Sequence, residues 1–200
     1  MNEDSSPHFS LFRTAPNILS FLRICMAPFL VVAILDGDYA LGFTLFVAAG
    51  LTDALDGALA RMLKQRSTLG QYLDPVADKL LLSTLFLVLM NKRLIPTAVT
   101  VLVFGRDVGI LVVAAILYAA TGRREFNPSV FGKANTVAQI TAVAAVLLHQ
   151  LTAVMWVEVL RIVALDATMV LTVASGLHYA WIASHRTSGA GANAPDRNLK

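Results

Sequence analysis

The chain has 200 residues, of which 56% are hydrophobic and only 14% are charged, and its formal net charge is +3. An average soluble domain has about 25% charged residues, so this chain has too few to cover a soluble surface. Its single cysteine and its apolar content also exclude a disulfide scaffold and a disordered chain. The composition therefore indicates an integral membrane protein, and the small net charge gives no reason to expect a nucleic-acid partner.

Long apolar stretches predict the secondary structure. A helix needs about 20 mainly apolar residues to cross a bilayer, and six stretches qualify. They leave little room for a soluble domain, so we expect an all-α integral membrane protein. Its parts would be a cytoplasmic arm over 1–16, a six-helix membrane domain over 17–185 and a disordered cytoplasmic tail over 186–200. The six predicted spans are 17–35, 40–60, 73–90, 94–119, 135–155 and 159–183.

The distribution of basic residues predicts the orientation. Cytoplasmic loops of membrane proteins are enriched in Lys and Arg. With the N-terminus inside, the outer connections hold only Lys92 and Arg93, and both termini lie in the cytoplasm, as expected for a multi-pass protein of a bacterial inner membrane. The first span contains Arg23 and Pro28, which are unusual in a simple anchor. The inner segments hold Arg13, Lys64, Arg66, Arg123, Arg124, Lys133, Arg186, Arg197 and Lys200.

Four aspartates form the main candidate site. Asp53 and Asp56 lie three residues apart, and Asp74 and Asp78 four apart, so each pair shares one face of its predicted helix. Carboxylates brought together at a helix boundary repel one another unless cations neutralise them, and oxygen ligands of this kind suit Mg²⁺ or Mn²⁺. A structural alternative exists for the second pair, since Asp74 precedes Pro75 and could cap the third helix, and Asp78 one turn later could complement the helix dipole. It does not explain Asp53 and Asp56, which come late in an apolar helix.

Small and basic residues accompany the aspartates. Gly57 and Ala60 remove side-chain bulk, so that a ring or a phosphate could approach the backbone. Arg61 offers a planar fork for a phosphate or a carboxylate. With the four aspartates and Gly70, which lets the third helix begin close to the second, these residues complete the pattern D-x2-D-G-x2-A-R-x8-G-x3-D-x3-D, which has eight fixed positions.

This pattern resembles the signature of the CDP-alcohol phosphatidyltransferases, and PNILSFLRI, FGRD and FGKANT also look like family features. The resemblance implies a six-helix membrane bundle, usually a homodimer, with its active site at the cytoplasmic face. Asp53, Asp56 and Asp74 would bind two divalent ions, and Asp78 would share the second ion. Asp78 would also be the general base. By the same resemblance, the CDP-lipid would be bound by Asp53, Gly57, Ala60, Arg61 and Asn17.

The resemblance implies transfer of the phosphatidyl group of CDP-diacylglycerol to an acceptor hydroxyl, with release of CMP. The chain looks most like the cardiolipin synthases, whose acceptor is phosphatidylglycerol. The phosphatidylglycerophosphate synthases, which use glycerol 3-phosphate, are nearly as similar. Arg106, in a predicted buried pair with Asp107, and Lys133 are the candidate acceptor-binding residues. Asn135 stands where glycerol 3-phosphate users tend to have a second lysine, which slightly disfavours a small phosphorylated acceptor.

Other functions remain open at this stage. A family member could accept inositol phosphate or another alcohol instead of a glycerol-type acceptor. An intramembrane prenyltransferase also binds Mg²⁺-pyrophosphate through aspartates, but its two motifs are much farther apart in the chain. A small cation transporter would place its charges near the bilayer midplane in broken helices, whereas these aspartates lie near one face. An inactive scaffold is disfavoured because the pattern is complete. Arg161 and Asp166 form a second predicted buried charge group, to which we assign no role.

Overall fold

The computed structural model describes the backbone of residues 15–63, 68–121 and 130–191. Within these ranges, side chains are described for residues 22–23, 25–55, 79–110, 112 and 132–178. The residues outside the backbone ranges include most of the predicted arm and the second part of the predicted tail. The domain boundaries therefore stay a prediction.

The described residues form six α-helices and no strand, which confirms the all-α prediction. The third helix begins five residues earlier than the predicted span, because the polar segment TLGQY is helical as well. The fifth begins and ends earlier than its predicted span, and the sixth continues to Gly191. The helices are α1 (Ala15–Asp36), α2 (Tyr39–Leu63), α3 (Thr68–Asn91), α4 (Thr97–Thr121), α5 (Val130–Leu151) and α6 (Met155–Gly191).

A two-residue turn joins α1 to α2. Gly37 has a φ of 83°, in the left-handed region that glycine adopts without a steric penalty. The Asp38 Oδ1 atom accepts a hydrogen bond from the Leu41 backbone N–H at 3.0 Å, which caps the start of α2. Gly42 then allows close packing, since a Cβ atom there would lie 3.1 Å from the Ile34 side chain. The turn therefore sets α2 directly against α1.

The chain divides into two compact units, with boundaries that fall within α5 and α6. The described residues of the first unit lie in 1–96 and 143–161, and those of the second lie in 97–142 and 162–200. In the first unit, α1 packs against both α2 and α3. Its core is mainly apolar, with fully buried side chains that include Leu30, Ile34 and Phe86, and it also contains the buried Arg23.

The second unit has a more polar interior. Asn135, Thr168, Thr172 and Ser175 are all at most 2% exposed. The three hydroxyl residues follow one another along α6 at helical spacing, so they line one face of that helix. Thr168 donates to the Ala164 carbonyl at 2.8 Å, within α6 itself. The other buried polar groups of this face make contacts to α4 and α5.

Much of the described surface is apolar. Large hydrophobic side chains are exposed on every one of the six helices, among them Phe29, Leu51, Leu80, Val101, Val137 and Val170. By length and mean hydropathy, one described helical segment, Gly132–Leu151, qualifies as a membrane span. The prediction of six membrane spans therefore stays a prediction. Asp166 is exposed and Arg161 half-buried, so the prediction that both are buried is wrong.

Candidate functional site

The bounds of α3 exclude the alternative that Asp74 caps that helix. Because α3 begins at Thr68, Asp74 lies well inside the helix and does not cap it. Asp53 and Asp56 both lie within α2, about one turn apart, and Asp74 and Asp78 are one turn apart in α3. Each pair of aspartates therefore has the predicted spacing of about one turn within a formed helix.

Most of the predicted site side chains lie outside the described ones. For the predicted catalytic, metal and CDP-lipid residues other than Asp53, only the backbone is described. These residues belong to α1, α2 or α3, and their predicted roles stay predictions. Within the described side chains, His, Cys, Asp and Glu form no group of three or more that could hold a metal. The predicted site and pattern residues known from their backbone alone are Asn17, Asp56, Gly57, Ala60, Arg61, Gly70, Asp74 and Asp78.

Asp53 is the described member of the aspartate cluster. Its Oδ1 atom accepts a hydrogen bond from Nη2 of Arg23 at 2.6 Å, across 30 residues of chain and between α2 and α1. The Arg23 side chain is 3% exposed, whereas the Asp53 side chain is 50% exposed. The ion pair therefore joins a buried cation to a carboxylate that is open on its other side.

The donor set fits a divalent cation. Mg²⁺ and Mn²⁺ take oxygen ligands, and a few carboxylates combined with substrate phosphate are a common ligand set. The Oδ2 atom of Asp53 accepts no hydrogen bond from the described side chains, and the carboxylate is half-exposed. The chemistry of the aspartates and the accessibility of the described one thus agree with metal binding.

A second polar group surrounds Arg106 on α4. Its Nη1 atom donates to Asp107 Oδ1 at 2.6 Å, and the two side chains are 6% and 12% exposed. Its Nε and Nη2 atoms both donate to Ser175 Oγ, at 3.3 Å and 2.8 Å. The predicted buried pair is confirmed, and Ser175 on α6 further fixes the plane of the guanidinium.

The two α5 residues considered for the acceptor differ in their surroundings. Lys133 is exposed. Asn135 is fully buried, and its Oδ1 atom accepts a hydrogen bond from Thr172 Oγ1 at 3.0 Å. Asn135 therefore joins α5 to α6. The sequence analysis considered this residue only in relation to the acceptor and did not predict its role in packing.

Replacing Thr172 with valine is expected to lower the free energy of unfolding by about 0.5–1.5 kcal/mol, because Asn135 would lose its buried donor. The measurement is reversible denaturation of the protein in detergent. Thr172→Ser keeps the hydroxyl and is expected to lie closer to the wild type. Equal stability of the valine variant and the wild type would show that the hydrogen bond contributes nothing.

The sequence analysis does not predict three of the observed contacts: Arg23 with Asp53, Arg106 with Ser175, and Asn135 with Thr172. Arg23 was noted as unusual but not paired with Asp53, and neither Ser175 nor Thr172 was singled out. The hydroxyl residues at 168, 172 and 175 recur at helical spacing in an apolar segment, which is a detectable pattern. The Arg23–Asp53 pair leaves no such local pattern, since its members belong to different helices.

Residues 13–178 match the family model described as CDP-alcohol phosphatidyltransferase. The chain belongs to this family. The resemblance noted in the sequence is thereby confirmed, and the CDP-alcohol phosphatidyltransferases are membrane proteins that use a divalent metal.

Named relatives carry two activities. The human cardiolipin synthase (CMP-forming) is 40% identical over 150 residues, which cover 66% of this chain and 49% of that protein. A CDP-diacylglycerol–glycerol-3-phosphate 3-phosphatidyltransferase from Bacillus subtilis is 32% identical over 179 residues, or 82% of this chain and 92% of its own length. A probable phosphatidylglycerophosphate synthase from Mycobacterium tuberculosis is 32% identical over 170 residues, covering 82% and 78%. The chain thus spans about half the length of the human relative, and most of the length of the two bacterial ones.

Proposed function

We propose that this CDP-alcohol phosphatidyltransferase moves the phosphatidyl group of CDP-diacylglycerol to a hydroxyl of a glycerol-type acceptor and releases CMP. The observation that carries the proposal is the family match over residues 13–178, which includes the complete eight-position pattern on α2 and α3. In this reaction the acceptor oxygen forms a bond to the phosphorus of the phosphatidyl group. The phosphoanhydride bond to CMP breaks, and CMP leaves with the bonding electrons.

The four aspartates would hold two divalent ions, either Mg²⁺ or Mn²⁺. Asp53, Asp56 and Asp74 are proposed as ligands, with Asp78 shared. When bound, such ions stabilise negative charge on the attacking and the leaving oxygens. Asp78 is proposed to accept the proton of the acceptor hydroxyl, because a carboxylate next to the reacting oxygen is a suitable general base.

The CDP-lipid is proposed to bind along the same helices. Gly57 and Ala60 leave room beside the aspartates for the cytidine and the pyrophosphate. Arg61 would bind a phosphate oxygen through its fork, which suits planar recognition of phosphate. Asn17, near the start of α1, is a further candidate for this site. The family match and the helical spacing of these residues support the assignment.

For the acceptor, Arg106 and Lys133 are proposed as binding residues. The Arg106 guanidinium carries more N–H groups than Asp107 and Ser175 use, so it retains donors for a hydroxyl or a phosphate oxygen. Asp107 offsets its charge, which favours a glycerol hydroxyl over a phosphate dianion as its partner. We therefore place phosphatidylglycerol first, giving cardiolipin. Glycerol 3-phosphate, giving phosphatidylglycerophosphate, is a close second because the B. subtilis relative covers more of this chain.

We also propose that all six helices span the membrane, as a homodimer with both termini and the active site in the cytoplasm. The catalytic domain would extend over 17–185. Exposed apolar side chains on every described helix support this arrangement, because a soluble protein rarely exposes large contiguous apolar patches. The scarcity of charged residues in the chain supports it as well.

A radiolabel assay tests the reaction. Purified protein in mixed micelles receives CDP-diacylglycerol, Mg²⁺ or Mn²⁺, and one acceptor at a time, with labelled glycerol 3-phosphate or labelled phosphatidylglycerol. We expect CMP release and one lipid product, whose identity decides between the two acceptors. No CMP release with any acceptor would overturn the transferase proposal. Uptake of Mg²⁺ or Mn²⁺ into proteoliposomes, without CMP release, would support the cation-transporter alternative instead.

A further inference from the structure

The Arg23–Asp53 pair has an unusual distribution of burial. A guanidinium at 3% exposure has given up nearly all of its hydration, whereas its carboxylate partner keeps half of its surface open. Arg23 contacts Oδ1 of Asp53, and half of the Asp53 side chain stays exposed. The open side of Asp53 is therefore accessible to a second, positively charged partner.

We propose that Arg23 is a positioning residue for the metal-binding carboxylate of Asp53. Arg23 holds Oδ1, which fixes the side-chain rotamer and leaves Oδ2 for the metal ion. This inference rests on the proposed metal site. Carboxylates that bind metals are themselves hydrogen-bonded, and the loss of such a partner typically lowers metal affinity by about 10–100-fold.

Charge balance gives Arg23 a second contribution, to the stability of the site without metal. The pattern places four aspartates and one arginine, Arg61, on α2 and α3, so it is net negative. Arg23 comes from a third helix, α1, which packs against both of them. A cation fixed behind Asp53 reduces that negative charge without occupying the open side of the carboxylate.

A Mn²⁺ titration followed by electron paramagnetic resonance tests the proposal, because the signal of free Mn²⁺ reports binding independently of turnover. Arg23→Gln is expected to weaken Mn²⁺ binding by about 10–100-fold. Arg23→Lys keeps the charge but not the planar fork, and is expected to recover part of the affinity. In an Asp53→Asn background, Arg23→Gln is expected to have a clearly smaller effect on Mn²⁺ binding than it has in the wild type, because the carboxylate that it positions is gone. Thr172→Val, which removes a buried interhelical hydrogen bond elsewhere, is the matched control and should bind Mn²⁺ normally.

The outcomes separate two failures. If Asp53→Asn leaves Mn²⁺ affinity unchanged, the proposed metal site is wrong. If Asp53→Asn weakens binding but folded Arg23→Gln does not, the metal site stands and the positioning role of Arg23 is overturned. If Arg23→Gln does not fold, the Arg23→Lys variant decides. Wild-type Mn²⁺ affinity in that variant would show that the planar guanidinium is not needed and would overturn the positioning role.

Discussion

Replacing Asp78 with asparagine is expected to lower the turnover of CDP-diacylglycerol by about 10²–10⁴-fold, the range that a general base contributes. An amide has nearly the size of the carboxylate but cannot accept the proton of the acceptor hydroxyl. Binding of CDP-diacylglycerol should persist in large part, because Asp53, Asp56 and Asp74 remain. The measurement pairs the initial rate of CMP release with equilibrium binding of a labelled CDP-lipid.

Asp36→Asn is the matched control for this experiment. Asp36 is an exposed aspartate at the end of α1, outside the eight-position pattern. The same change of charge there should leave the rate within about twofold of the wild type, since surface substitutions usually have small effects. An Asp78→Asn enzyme that turns over at the wild-type rate would remove Asp78 as the base, whatever its role at the metal.

Replacing Asp107 with leucine is expected to lower the free energy of unfolding by about 3–5 kcal/mol. Arg106 is 94% buried, and the change leaves its charge with Ser175 and without the carboxylate at 2.6 Å. The double variant Arg106→Met with Asp107→Leu removes both charges and should regain most of the lost stability. Denaturation in detergent measures all three proteins under the same conditions.

The double variant also separates packing from acceptor use. If Arg106 binds the acceptor, the double variant should be stable yet have a raised KM for the acceptor, with the KM for CDP-diacylglycerol little changed. Asp166→Asn, at an exposed position on α6, should match the wild type in both measurements. A single Asp107→Leu variant as stable as the wild type would show that the ion pair contributes no net stability.

The number of helices and their order followed from the length of the apolar stretches. Their packed faces did not, because these helices carry apolar side chains on both their buried and their exposed faces. On α1, for example, Leu30 is buried while Phe29, its neighbour in sequence, is 68% exposed. The hydrophobic pattern alone could not have told these two side chains apart.

The aspartates were predictable because the members of each pair lie three or four residues apart, in two segments that follow each other in the sequence. The same local pattern left Asp74 ambiguous, since Asp before Pro is also a common helix start. Only the observed start of α3 at Thr68 resolves this point. Contacts between distant segments, such as Arg106 with Ser175 across 69 residues, have no counterpart in any local window.

The tight turn at Gly37 has a consequence for the order of folding. It joins two helices that already hold both members of the Arg23–Asp53 pair, so the ion pair lies within a single hairpin. Loop closure across so short a connection has a small entropic cost, and contacts that are local in sequence form early. The counter-charge of the arginine thus comes from the same hairpin, and the pair does not depend on α4, α5 or α6.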